Sequence, residues 1–310
     1  MNYNKTVYTI IVTYNGLKWI NDCISSVYDL TKVIVVDNNS SDKTLEYIDN
    51  NYPKCIVLAQ DKNLGFGKAN NLGIKYGLEH GAEFLFLLNQ DAKIFGNVIY
   101  DLVSFSQKNK DYGILSPIHC DWSGTYLESS FSRYVNYEKN EDFYSDFVLD
   151  KEKKEVYDVS FVAAACWFIP KKVFSKVGGF DPIFFHIGED NNYTQRVLFH
   201  GFKIGVLPKL KVGHDTKGRI YIGNRKYSEK YYKTLNYRRK IKFADVNISN
   251  AKEKAIYLKN QLYKESIILF LQLKLIKFKK SLREIYDLKR LLKESLKSVD
   301  INRTQGKHYL

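Results

Sequence analysis

Four short apolar runs recur through the first ninety residues, and each stops abruptly at polar side chains. They are Val7–Thr13, Val33–Val36, Cys55–Ala59 and Phe84–Leu88. Runs of this length, rich in β-branched and aromatic residues, predict strands buried on both faces. Helical spacing separates them. Leu17, Ile20, Ile24 and Val27 follow the first run. After the second, Ser40 or Ser41 is placed to cap a helix, with Asp42 in its first turn. A third helix opens within Asn63–Asn71 and ends at Gly81. Strands alternating with helices imply right-handed βαβ units and an α/β fold, a mostly parallel central sheet flanked by helices.

Ligands of such sheets lie beyond the carboxyl ends of the strands. Three of the runs end there in Thr13-Tyr14-Asn15, Asp37-Asn38-Asn39 and Asn89-Gln90-Asp91, which should line one crevice. Asp91 follows an unbroken apolar run, so its carboxylate sits on rigid scaffolding. It suits a hard divalent cation, and such a cation suits a diphosphate. The competing interpretation is a turn or cap aspartate. No G-x-G-x-x-G follows the first run, and Gly65-Phe66-Gly67-Lys68 lacks the Ser/Thr of a P-loop. Hydride-transfer and P-loop enzymes are thereby disfavoured.

From Ile94 to Lys154 the pattern weakens. Val98–Phe105 looks helical, and Asp121–Asp150, rich in Tyr, Ser, Asp and Glu, is expected to be loop or edge structure. Val159–Ile169 is a buried segment stopped by Pro170, and Lys171–Val177 a short helix broken at Gly178-Gly179. Aromatic Phe180–Phe185 then leads to Glu189-Asp190, ahead of a helix over Asn191–His200. Asp190 is either a helix cap or a functional acid. His214 is expected in a loop, as a structural residue or a metal ligand.

Charge divides the chain. Residues 1–224 carry 25 Lys+Arg and 26 Asp+Glu; residues 225–310 carry 23 and 8, so the net +14 belongs to the tail. In the tail, Ile268, Leu271, Leu275, Phe278, Leu282, Ile285, Leu292, Leu296 and Val299 keep heptad spacing. This predicts one or two basic amphipathic helices that pack on the protein, pair with a second copy as a homodimer, or lie on an anionic membrane surface. The four cysteines form no C-x-x-C pair and suggest reduced thiols in a cytoplasmic protein. Met1–Lys5 lacks the pattern of a signal peptide, and no apolar run is long enough to span a bilayer.

Taken together, these residues resemble an inverting family 2 glycosyltransferase of the GT-A fold. The matching pieces are Val12–Asn15, Val35–Ser40, Asn63–Gly67, Leu88–Ala92, Gly178–Asp181 with Phe184-Phe185, Glu189-Asp190 with Arg196, and His214. The Asn-Gln-Asp form and the Gly-Glu-Asp-Asn-Asn stretch look most like the bacterial rhamnosyltransferase branch. The resemblance covers roughly residues 6–220 and implies a catalytic domain over residues 1–224; the helical C-terminal extension expected over 225–310 lies outside it. The resemblance implies transfer of a hexosyl group from a nucleotide-diphosphate sugar, dTDP-rhamnose or a UDP-sugar, to a saccharide or lipid-linked acceptor in cell-surface polysaccharide synthesis. Asp91 and His214 would hold Mg²⁺ or Mn²⁺. Asn89 stands where the family usually has a further Asp. Asp37 would meet the nucleobase, Thr13 and Asn15 the nucleoside, and Asn63 and Asn70 the diphosphate or sugar, with Tyr14, Asn39, Gly65 and Gln90 in the same set. Asp190 would be the base, Glu189 its competitor, and Trp167, Phe184 and Phe185 an acceptor floor if they are not core. The extension would set the enzyme on the inner face of the cell membrane. A metal-dependent nucleotidyltransferase is the main alternative. It would normally carry a Gly- and Lys/Arg-rich loop where this chain has Tyr14-Asn15-Gly16-Leu17. A nucleic-acid-binding protein would explain the basic tail but not the acids of a nearly neutral first part, so no nucleic-acid partner is expected.

Overall fold

The computed structural model describes residues 7–216 and 227–310. The polar N-terminus and the domain boundary expected at 224/225 lie outside these residues. The described chain forms two compact units. One comprises 7–216 together with Gln305–Leu310, and the other 227–304. The tail therefore does not form one body, because its last residues belong to the first unit.

The first unit is built on a nine-stranded sheet. β1 (Val7–Thr13), β2 (Lys32–Asp37), β3 (Ile56–Ala59) and β4 (Phe84–Leu88) are its parallel half, in the order β3-β2-β1-β4. β5 (Ala92–Ile94), β6 (Tyr112–Cys120), β7 (Tyr157–Asp158), β8 (Cys166–Pro170) and β9 (Lys203–His214) complete it as a mixed region. β8 runs antiparallel to β4, and β9 runs parallel to β6 and antiparallel to β5. Alternate residues of each central strand enter opposite cores. From β4, Leu85 and Leu87 join one cluster, and Phe84, Phe86 and Leu88 the other. Both faces of the strand are thus withdrawn from water, which the apolar runs required.

Helices cover both faces. α1 (Ile20–Ser25), α2 (Thr44–Asn51) and α4 (Val98–Lys108) pack on one; α3 (Phe66–Glu79), α6 (Lys171–Val177) and α7 (Glu189–Phe199) pack on the other. α5 (Glu141–Val148) lies in the stretch expected to be loop or edge. Phe143 is the buried anchor of this helix, and Asn140 caps it by accepting from the Phe143 N–H (2.9 Å). The expected caps of α2 are also corrected. Ser40 binds Asp37, and Asp42 instead accepts from the Thr44 N–H (3.0 Å).

The second unit is helical: α8 (Glu229–Phe243), α9 (Ala251–Leu271) and α10 (Leu275–Asn302). Its core joins Phe243, Leu262, Ile285, Leu288 and Leu292. The heptad stripe does not run as one seam. The chain reverses at Gln272–Lys274, where Leu273 has φ +53°. Ile285, Leu292 and Val299 are buried below that turn, while Ile268, Leu271, Leu275 and Leu282 are exposed near it. Among the described residues no helix is long and apolar enough to cross a membrane.

Candidate active site at the carboxyl edge of the sheet

The loops after β1 and β4 are joined through Gln90. Its Oε1 accepts from Thr13 Oγ1 (2.7 Å) and from the Tyr14 N–H (2.9 Å), and its Nε2 donates to the Tyr14 carbonyl (3.2 Å). The loops after β1 and β2 are joined through Asn15. Its Oδ1 accepts from the Ser41 N–H (2.8 Å), and its own N–H donates to Ser40 Oγ (2.9 Å). Tyr14, Asn15 and Asn39 are exposed on these loops, and Thr13 is buried. Asp37 departs from expectation. It is fully buried, and its two oxygens accept from the Ser40 N–H (2.9 Å) and hydroxyl (2.5 Å), so its visible work is to shape the loop.

The loop before α3 is held from below by Asn38, a residue the sequence did not single out. Buried Asn38 accepts from the Leu64 N–H (3.0 Å) and donates to the Gly65 carbonyl (3.3 Å). Exposed Asn63 accepts from the Gly65 N–H (2.8 Å). Gly65 has φ +80°, and a Cβ there would stand 2.0 Å from the Phe185 carbonyl oxygen, so only glycine lets these two loops touch. Asn70 is buried and donates to Phe66 O within its own helix (3.0 Å), so a direct donor contact is not what this conformation shows. Its neighbour Asn71 instead clamps Phe180, accepting from its N–H (2.7 Å) and donating to its carbonyl (2.8 Å).

Pairing of β5 with β9 sets Ala92 opposite His214 and so brings Asp91 to the imidazole. His214 closes a strand rather than lying in the expected loop. Its Nε2 is 3.4 Å from Asp91 Oδ1 and has no hydrogen-bond partner among the described residues. Its Nδ1 is 3.1 Å from Glu128 Oε2. Burial works against a charge on His214, but the Asp91 and Glu128 carboxylates outweigh it and hold the imidazole up at about 9. Burial likewise opposes charge on Glu128, yet the His119 ring 3.5 Å away and the hydrogen bond from His214 hold its carboxyl down at about 2. Asp91 and His214 Nε2 offer one hard oxygen and one nitrogen on the same edge, a set that Mg²⁺ or Mn²⁺ accepts. Asp215, beyond the expected set, secures the corner. Its N–H donates to Asp91 O (2.9 Å), and its carboxylate receives Lys18 Nζ and Trp19 Nε1, both at 2.8 Å.

Glu189 and Asp190 open α7 behind Gly188, whose φ is +96°. Glu189 is 6% exposed, and its Oε2 has no hydrogen-bond partner among the described residues. Burial, with the Asp190 charge adding, pushes Glu189 up to about 7. Asp190 is partly exposed yet densely surrounded, and burial raises it to about 6 against the opposing pull of backbone N–H groups, Asn191 first. Ala164 supplies one of those N–H groups, while the next residue, Ala165, accepts from the Asn89 N–H (3.0 Å). One segment therefore supports both the Asn89–Asp91 loop and the acid pair. Of the expected acceptor floor, only Phe185 is exposed. Trp167 and Phe184 are core residues. Trp167 is fully buried, stacks on Phe180 with ring centroids 6.0 Å apart, and donates to Val162 O (3.2 Å).

A sheet of this order, with loops and acids gathered at one edge, defines a GT-A transferase fold. The family model described as glycosyl transferase family 2 matches residues 8–178, more than half of the chain, and the chain belongs to that family. It is 28% identical over 212 residues to the dTDP-rhamnosyl transferase RfbF of Shigella flexneri, covering 68% of this chain and 69% of that one. It is 23% identical over 207 residues to the low-salt glycan biosynthesis hexosyltransferase Agl10 of Haloferax volcanii, covering 66% of each. Two solved structures share the fold. GalNAc-T7, crystallised with UDP, GalNAc and Mn²⁺, gives a TM-score of 0.58 at 17% identity, and this chain spans 50% of it while 83% of this chain is covered. Residues 1–349 of Staphylococcus aureus TarS give 0.55 at 16% identity, covering 96% of this chain and 89% of that one.

Proposed function

We propose that this enzyme transfers a hexosyl group, with inversion, from a nucleotide-diphosphate sugar to a hydroxyl of a saccharide or lipid-linked acceptor. The observation that carries this is the pairing, on one sheet edge, of an Asp91–His214 corner with an adjacent acid pair whose affinity for protons is raised. The donor class is supported by two similar proteins: RfbF is a dTDP-rhamnosyl transferase, and TarS has been crystallised with UDP-GlcNAc. Of the expected nucleotide-binding residues, Tyr14, Asn15, Asn39 and Asn63 are exposed on these loops.

In this account Asp91 and His214 hold a divalent cation, which when bound neutralises the departing diphosphate. Asp190, ionised, accepts the proton of the acceptor hydroxyl as that oxygen bonds to the anomeric carbon. The bond from that carbon to the diphosphate oxygen breaks on the opposite face, and the electron pair leaves with the nucleotide. Asp190 is assigned the role because it is partly exposed, whereas Glu189 is buried, and burial together with the Asp190 charge keeps it protonated to higher pH. Asp190→Asn keeps the shape and removes the basicity. Donor binding should survive while transfer falls roughly 10²–10⁴-fold. If Glu189→Gln is crippled and Asp190→Asn turns over normally, the roles are reversed.

The second unit is proposed to rest on an anionic membrane surface that carries the acceptor. At the turn between α9 and α10, Ile267, Phe270, Leu271, Leu273, Leu275 and Ile276 are 51–80% exposed, and Lys274, Lys277, Lys279 and Lys280 lie among or just beyond them. An apolar tip among lysines fits the interface of an anionic bilayer, where each basic residue near the surface contributes about 1 kcal/mol. A second copy docking through the same tip would oppose like charges, which argues against a homodimer formed there.

A further inference from the structure

We infer that Glu128 is a positioning residue for the metal corner, a carboxylate that sets the tautomer and ring direction of His214 so that Nε2 presents its lone pair beside Asp91. The inference rests on the proposed role of Asp91 and His214 and adds residues that role does not include.

Glu128 is 4% exposed, and its Oε2 lies 3.1 Å from His214 Nδ1. A carboxylate cannot donate, so Nδ1 must carry a hydrogen, and the proton that the ring gives up when a cation binds is then the one on Nε2, which leaves the lone pair there. That is the atom 3.4 Å from Asp91 and without a hydrogen-bond partner among the described residues. A carboxylate behind a ligating histidine is a recurrent way of fixing ligand direction at metal centres.

Glu128 is itself held in place. Its N–H donates to the His119 carbonyl (3.0 Å), and Cys120 bridges Leu127, so the chain folds back on β6 and returns the carboxylate to the sheet. Ser130 Oγ donates to its other oxygen, Oε1. His119, fully buried, places Nδ1 3.5 Å from Oε2 and Nε2 3.0 Å from Ser116 Oγ. Phe131 packs on the His119 ring with centroids 5.2 Å apart. Ligand atoms of His119, Glu128 and His214 fall within 4.8 Å of one another. The cluster could therefore be taken for a metal site in its own right. Its geometry favours support instead, because Oε2 already faces both imidazoles and both rings are turned to it by Nδ1. A chain of contacts thus runs Ser116–His119–Glu128–His214–Asp91, from the strand interior to the edge.

The test is Mn²⁺ binding to the full chain without substrate, followed by electron paramagnetic resonance, beside the unfolding temperature of the metal-free protein. Asp91→Ala and His214→Ala should remove the site. Glu128→Ala should weaken Mn²⁺ binding about 10–100-fold, the usual cost of losing such a partner. Glu128→Gln is nearly isosteric and can still accept from Nδ1 but lacks the charge. It should lower the metal-free unfolding temperature, since the charge is stabilised in the fold, yet weaken Mn²⁺ several-fold at a temperature where the metal-free protein is fully folded, and it decides the matter if Glu128→Ala does not fold. The inference is overturned if Glu128→Gln binds Mn²⁺ like the parent while Asp91→Ala does not, or if its affinity falls only in step with its stability. If Asp91→Ala binds Mn²⁺ as the parent does, the metal corner itself is wrong, and Glu128 loses this role with it.

Discussion

The two acids that open α7 make opposite demands on pH. Asp190 must be ionised to take a proton, and burial holds it at about 6. The rate kcat/KM should therefore rise with pH through about 6 and level above it, a limb that a pH profile would show directly and that Asp190→Asn should abolish. Stability should run the other way. Both acids hold a proton more tightly in the folded protein than their ordinary values, 4.5 for Glu189 and 3.8 for Asp190, would give, with Glu189 at about 7. The folded state therefore binds more protons than the unfolded one between roughly pH 4 and 7. Their stabilising contribution is complete below that window and is lost as pH rises through it. Glu189→Gln should then unfold at a higher temperature than the parent at pH 8, by the equivalent of about 1–3 kcal/mol, with little difference at pH 4. Equal unfolding temperatures at pH 8 would mean that Glu189 is not strained by burial.

Among the elements, the corner of α6 and α7 is reinforced from far along the chain. Gln305–Leu310 returns to it. The Gly179 N–H donates to His308 O (2.8 Å), and the Gly306 N–H donates to Lys176 O (3.0 Å). Tyr309 donates to Asp181 Oδ2 (3.1 Å) and lies over the Arg196 guanidinium, 5.4 Å from its ring centroid. Arg196 is fully buried and donates to Gly179 O (2.7 Å), so the helix that carries Glu189 and Asp190 is tied down at its far turn. Gly178 has φ +79°, and a Cβ there would stand 2.4 Å from His308 O. Tyr309→Ala should lower stability by about 1–3 kcal/mol in a denaturant melt, through lost packing and one lost hydrogen bond, and Tyr309→Phe by about 1 kcal/mol. If removing 305–310 leaves the melt unchanged, these contacts do not stabilise the corner.

How far the fold could be read from the sequence follows from where its signals are local. β1, β4 and α6 match their expected bounds because an apolar run or a helical period ends at a polar or glycine boundary. α5 was missed because its periodic signal, Phe143 with Phe147 and Tyr144 with Val148, spans only eight residues inside a polar stretch. The heptad stripe misled because spacing alone does not show that the chain reverses at Leu273. At the site, Asp91 and Asp190 stood out as acids at element ends. Glu128 did not, because it follows Tyr126 and Leu127 in a stretch without pattern, and only the pairing of β6 with β9 brings it to His214. Trp167 and Phe184 show the converse: aromatic character does not distinguish a ligand floor from a core.

For the molecule as a whole, charge and apolar exposure in the second unit suggest where it works. Replacing Leu271 and Ile276 by Asp should abolish sedimentation with anionic vesicles at low salt while leaving donor binding untouched, since neither residue belongs to the unit that holds the site. Equal sedimentation of variant and parent would remove the membrane role, and light scattering on the same pair would show whether the tip joins copies instead. The central claim, however, is that one sheet edge binds a nucleotide-diphosphate sugar through a cation held by Asp91 and His214. Its most direct test is the unfolding temperature with a panel of nucleotide-sugars, with and without Mn²⁺. At least one such sugar should raise it only when Mn²⁺ is present, Asp190→Asn should keep the rise and Asp91→Ala should lose it. A rise that is the same without the metal or in Asp91→Ala, or no rise with any nucleotide-sugar, would contradict the claim.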